Sequence, residues 1–283
     1  MDIVDYAIVV FTVFLLGLFM YTVYYWDIDA WILITRLGDS EFYLIASVLV
    51  FFLVGSPVDA MALIASVLLA GSLNISLKYL FNTPRPLNPL VEVSGPGFPS
   101  GHSMVSTSFW TTLSLVARRK TLMFLSLLVV TSVSISRIVL RAHFVIDVVG
   151  GLVFGFMTGL ISYYARLTCG DGSRGRGMVL LVLVSLLLGF INVFVLGVEL
   201  EASTSLLGLS IALFTSVLVS RCVKLKRLST RLFGFIVSSG FLLLIHYSTR
   251  AMSVYFRIAG FTVGGLVVFI LVPWVLYWFF EED

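Results

Sequence analysis

The stretch Ser136-Arg137-Ile138-Val139-Leu140-Arg141-Ala142-His143-Phe144-Val145-Ile146-Asp147 sets two arginines, a histidine and an aspartate within twelve residues, between long apolar segments. An ionisable group at bilayer depth costs several kcal/mol, so such a cluster is a functional candidate by default. If His143 opens a helix, Asp147 lies one turn on along the same face. Its carboxylate can then accept the Nδ1 proton, which leaves Nε2 unprotonated as a nucleophile or base. Arg137 and Arg141 offer forked donors that suit phosphate oxygens. A snorkelling, interface-anchoring loop would account for the same residues without chemistry.

Two further motifs carry chemistry of the same kind. Lys78, at the end of an apolar run, precedes Arg85-Pro86, and together they present a point charge and a fork to one anion. An ordinary positive membrane border would look alike. Pro99-Ser100-Gly101-His102 stands immediately before another apolar run. The backbone N–H groups of Ser100, Gly101 and His102 would there form a helix N-terminus, a ready anion site. The Ser100 hydroxyl adds a donor, Gly101 permits close approach, and His102 can give a proton to a leaving oxygen. Plain helix capping by Ser100 is the simpler alternative.

These motifs sit in a chain of 283 residues that is 59% hydrophobic and 12% charged, with mean hydropathy +1.09. That composition excludes an ordinary soluble domain and fits an all-α, polytopic membrane helical bundle. The short alternating strands of an outer-membrane barrel are absent. Met1 is followed by Asp2 and Asp5 and then an apolar run, so the first helix reads as a retained anchor rather than a cleaved leader. No basic-aromatic surface suits nucleic acid. Cys169 and Cys222 lack metal spacing and read as reduced thiols.

Hydropathy places spans at 3–25, 42–54, 60–81, 102–116, 121–135 and 143–164, with a semi-polar connector at 27–41 that could lie along the interface. Residues 82–101 hold five of the seven prolines and read as a loop or re-entrant segment. After a glycine-rich polar linker come spans near 178–196, 206–218, 232–246 and 254–280, the last of them tilted or broken at Pro273. The organisation is therefore a six-helix core (1–168), a linker (169–177) and an extension of about four transmembrane helices (178–283). Eleven of the eighteen lysines and arginines, from Arg118 to Arg231, fall at one set of junctions. The positive-inside rule makes that side cytoplasmic, with both termini inside and all three motifs outside.

Lys78-x6-Arg85-Pro86, Pro99-Ser100-Gly101-His102 and Ser136-Arg137-x5-His143-x3-Asp147 together resemble the three-part signature of the type 2 phosphatidic acid phosphatase superfamily. The resemblance is complete in residue type and spacing and covers about residues 1–168. It implies hydrolysis of a phosphate ester or diphosphate through a phosphohistidine, with no metal or other cofactor. His143 would be the nucleophile, Asp147 its orienting partner and His102 the general acid. Lys78, Arg85, Ser100, Gly101 and Arg137 would hold the phosphate. Arg141 falls in the variable spacer and keeps an auxiliary role.

The residues lead to the same chemistry on their own. Phosphoryl transfer needs in-line attack and neutralised equatorial oxygens, which three cations and helix N–H groups can provide in place of Mg²⁺. No acidic cluster of the two-metal kind is apparent in the sequence. The expected enzyme is a multi-pass phosphatase in the cell membrane whose substrate is a polyprenyl diphosphate or a phosphatidate-like lipid. Its partners are that lipid and the surrounding membrane lipids, with the oligomeric state open. A phosphatase for a water-soluble sugar phosphate, resembling the glucose-6-phosphatase branch, is the alternative. A lipid transporter, which would call for inverted repeats about a midplane site, ranks below it.

Overall fold

The computed structural model describes residues 3–53, 56–168, 175–219 and 225–280. The described residues are helical wherever they are regular. Eight of their helices are long and apolar enough to cross a membrane. Cys169 and Cys222 lie outside the described residues, as does most of the linker 169–177. The chain divides into two compact units, one of Met1–Phe42 with Leu77–Leu160 and the other of Tyr43–Ser76 with Ile161–Asp283.

The first unit carries the motifs. α1 (Ile3–Tyr25) has 23 residues, about 35 Å at 1.5 Å per residue, enough to span the hydrocarbon core. It ends in Tyr21, Tyr24 and Tyr25 and is followed by Trp26, the amphipathic rings that favour a headgroup boundary. Trp26 turns into the left-handed region (φ 51°) and Asp27 caps the next helix by accepting from the N–H groups of Asp29 and Ala30. That helix, α2 (Ile28–Thr35), lies in the segment read from sequence as an interfacial connector. It buries Trp31 and Ile34 with Leu140, and the Trp31 ring meets Phe19 edge-on at 5.8 Å. A single 3₁₀ turn, Arg36–Gly38, follows.

Two more helices run through both units. α3 (Ser40–Leu53) has 14 residues, and α4 (Pro57–Phe81) has 25 and carries Lys78 in its last turn. α5 (Gly101–Ala117) is capped by Ser100 and has 17 residues. α3 and α5 are the two segments that a ten-span reading adds to the eight long helices, and both are short for a span. α6 (Lys120–Val139) packs against α1, α2 and α5. α7 (Val145–Leu167) presents glycines to α5 one turn apart. A Cβ at Gly151 would stand 2.7 Å from the Ser100 carbonyl, and one at Gly159 2.8 Å from that of Ser108. Gly155 meets Met104 in the same way. Such small-residue faces let membrane helices pack backbone to backbone.

The second unit is built on α8 (Arg176–Phe190), α9 (Leu200–Val219), α10 (Leu228–Ser248), α11 (Val254–Leu266) and α12 (Val272–Phe280). Its core gathers Phe52, Met61, Leu68, Val182, Leu213, Leu242, Val268 and Leu276. A π-helical segment, Ile191–Val195, continues α8 and buries Asn192, whose side-chain N–H donates to Ser72 O at 2.9 Å while its oxygen accepts from Ser76 at 2.8 Å. A second one, Val267–Leu271, joins α11 to α12. The run Val254–Phe280 is therefore unbroken at Pro273, in contrast to the break considered from sequence. Proline removes one N–H and crowds the carbonyl four residues earlier, and the wider π turn ahead of it relieves both. Buried Arg257 ties α9 to α11 through Thr204 and the Glu201 carbonyl, while His246 packs on Phe261.

Candidate active site

The site lies wholly within the first unit and is assembled from helix ends. α6 closes with Arg137 in its last turn, and the Arg137 carbonyl accepts the N–H groups of Ala142 and His143. Arg141 occupies the left-handed region (φ 52°) that makes this tight turn possible. Its side chain is exposed, and none of the described contacts joins it to the buried residues of the site.

His143 precedes α7 rather than opening it. Phe144 is the N-cap, Val145 the first helical residue and Asp147 the third. The Asp147 carboxylate reaches back to accept the Phe144 N–H at 2.9 Å, one half of a capping box. The same oxygen stands 3.5 Å from His143 Nδ1, a nitrogen with no other partner. That distance is a charge contact rather than a closed hydrogen bond, and catalytic pairs often tighten only once substrate is bound.

The other nitrogen, Nε2, lies 3.0 Å from Arg85 Nη1. A guanidinium only donates, so this contact assigns the lone pair to Nε2 and the ring proton to Nδ1. Arg85 is itself held by the carbonyls of Gly95 at 2.9 Å, Ser94 at 2.7 Å and Ala142 at 2.9 Å. Burial first, then the positive charges of Arg85, Arg137 and Lys78, push the His143 imidazole from 6.5 down to about 2. The ring is thus neutral at any physiological pH.

Arg137 is 5% exposed, with Nη1 on Thr35 Oγ1 at 2.8 Å and Nε unpartnered. Lys78 is 8% exposed. Two buried cations and a third beside the histidine are unfavourable unless an anion joins them. Ser100 caps α5, its hydroxyl oxygen accepting from the Ser103 N–H at 3.5 Å and from the Ser103 hydroxyl at 3.1 Å. Its backbone N–H donates to the Asp147 carbonyl at 2.9 Å and so is engaged, unlike the free anion donor read from sequence. Gly101 and His102 begin α5, where N–H groups have no intrahelical acceptor.

Two residues that sequence motifs did not mark complete the arrangement. Asp39 Oδ1 is 2.9 Å from His102 Nε2, and Thr35 holds Arg137. The Lys78, Arg85, Ser100, His102, Arg137, His143 and Asp147 side chains thus share one unit with these partners. Among the described residues no three His, Cys, Asp or Glu side chains converge as metal ligands.

Comparison with known proteins points to one family. The model of the PAP2 superfamily matches residues 59–171. Phosphatidylglycerophosphatase B of Bacillus subtilis (strain 168) is 31% identical over 137 residues, covering 44% of this chain and 68% of the relative. The chain belongs to the PAP2 superfamily. It is a multi-pass membrane phosphatase of the lipid-phosphate class. No solved structure matches this PAP2 chain. The family match spans all three motifs, from the helix of Lys78 to the end of α7.

Proposed function

We propose that this phosphatase hydrolyses a lipid monophosphate or diphosphate at the outer face of the membrane through a phosphohistidine on His143, without a metal. The observation that carries the reading is the unprotonated, buried Nε2 of His143 facing a guanidinium within a cluster of three cations. In the first step the Nε2 lone pair forms a bond to phosphorus while the ester P–O bond breaks. The electron pair stays on the leaving oxygen, which takes a proton from His102. Lys78, Arg85 and Arg137 neutralise the equatorial oxygens, with the N–H groups of Gly101 and His102 and the Ser100 hydroxyl as further donors. Asp147 faces the Nδ1–H and offsets the positive charge that the ring acquires. Water then attacks phosphorus, His102 takes its proton, and the P–N bond breaks to restore the neutral imidazole.

The charge asymmetry of the chain supports an outward-facing site with both termini in the cytoplasm. We assign catalysis to a core of residues 1–168, with the helices of 178–283 as an extension. Candidate substrates are polyprenyl diphosphate, phosphatidate and, from the named relative, phosphatidylglycerophosphate. The test is phosphate release by purified protein in detergent with EDTA, comparing those three with glucose 6-phosphate, and His143→Ala as the blank. Release from a lipid, insensitive to EDTA and absent in the variant, is the expected result. Preference for the sugar phosphate would overturn the lipid assignment, and dependence on added metal would overturn the mechanism.

A further inference from the structure

The end of α2 and the turn that leads to α3 belong to none of the three motifs, yet two side chains there hold residues of the site. Thr35 Oγ1 accepts from Arg137 at 2.8 Å, and Asp39 Oδ1 stands 2.9 Å from His102 Nε2. The local fold fixes Asp39 well. Its N–H donates to the Arg36 carbonyl at 3.2 Å, closing the 3₁₀ turn, and Trp31, 1% exposed, anchors the preceding helix. Gly38 lets the ring lie against the backbone, since a Cβ there would come within 2.7 Å of His102 Cδ2. A residue with a side chain at this position would push the imidazole off the carboxylate.

We propose that Asp39 is a positioning residue that forms a second His–Asp pair and holds His102 ready as the general acid. This deepens the lipid phosphatase reading and rests on it. The charges facing His102 are the cations Lys78 and Arg137, on α4 and α6, and one carboxylate in contact, Asp39. A proton donor must be protonated before the leaving group departs, and an adjacent carboxylate stabilises that imidazolium. With Nε2–H bonded to Asp39, Nδ1–H is the proton to be given to the leaving oxygen. The two histidines would therefore work through opposite nitrogens, His143 through Nε2 and His102 through Nδ1.

In the transfer of phosphorus to His143, which kcat/KM reports, a carboxylate that acts through the general acid matters only when the leaving group needs a proton. The experiment compares phosphatidate, whose leaving alkoxide must be protonated, with p-nitrophenyl phosphate, whose phenolate leaves unaided. Asp39→Asn should lower kcat/KM on phosphatidate by about tenfold or more while kcat/KM for p-nitrophenyl phosphate stays within about threefold. His102→Asn should lower kcat/KM on phosphatidate at least as far, and Asp39→Asn added to it should bring no further loss there, as for residues that act as one unit. Asp39 is 39% exposed, so Asp39→Ser serves as a second variant with the same expected split. An equal fall on both substrates, or wild-type rates on phosphatidate, would overturn the assignment of Asp39. If His143→Ala matched wild type, the phosphohistidine reading itself would fall, and this one with it.

Discussion

Arg85 Nη1 lies 3.0 Å from His143 Nε2, so the lone pair of the proposed nucleophile lies beneath a guanidinium. An incoming phosphate would draw that guanidinium onto its own oxygens and uncover the nitrogen. Arg85→Ala removes the cover and the phosphate contact together. The loss of a preorganised donor is expected to dominate, lowering kcat/KM by about a hundredfold or more. Arg85→Lys, which keeps the charge but not the fork, should fall between that variant and wild type. Inhibition constants for vanadate should weaken in the same order. A rate near wild type in Arg85→Ala would contradict this role.

The Asp147 carboxylate serves two neighbours with one oxygen, the Phe144 N–H at 2.9 Å and His143 Nδ1 at 3.5 Å. Asp147→Asn keeps the shape but offers the imidazolium no charge. Turnover should fall by about a hundredfold or more, in the direction seen when a catalytic histidine loses its carboxylate. His143→Ala should lose turnover altogether while its thermal unfolding in detergent stays cooperative. Single-turnover rates with a saturating lipid phosphate distinguish the two variants.

The depressed pKa of His143 has a thermodynamic corollary. The unfolded chain takes up this proton near pH 6.5, whereas the folded chain resists it until about 2. Below 6.5 the unfolded state binds more protons, so this stabilisation is complete above pH 6.5 and is lost progressively as the pH falls toward 2. Tm should therefore decline between pH 6.5 and 4.5 more steeply in wild type than in His143→Asn. Parallel profiles for the two proteins would show that the imidazole is not held neutral.

Much of the site was legible because ionisable residues are rare in so apolar a chain. Lys78, Arg85, Arg137, His143 and Asp147 stand out by type, and their spacing alone joined His143 to Asp147. Asp39 and Thr35 were not legible. They reach His102 and Arg137 across 63 and 102 residues, from a segment whose residue types suit any interfacial connector. The engagement of the Ser100 N–H by Asp147 was hidden for a related reason, since it is a backbone bond between a cap and a helix that meet only in three dimensions. Helix positions followed from hydropathy, while the lengths of α3 and α5 and the passage through Pro273 depended on packing and on π turns that composition does not announce.

The glycines of α7 give the site a mechanical character. Gly151, Gly155 and Gly159 bring that helix onto the backbone of α5, and so bring Asp147 and His143 up to Ser100 and His102. Glycine has no smaller substitute. The gap between the two helices already stands at its lower bound, so each of these positions can mutate in one sense only, toward a wider site. The reach between the proposed attacking nitrogen and the proposed proton donor is thus gauged by atoms the sequence leaves out.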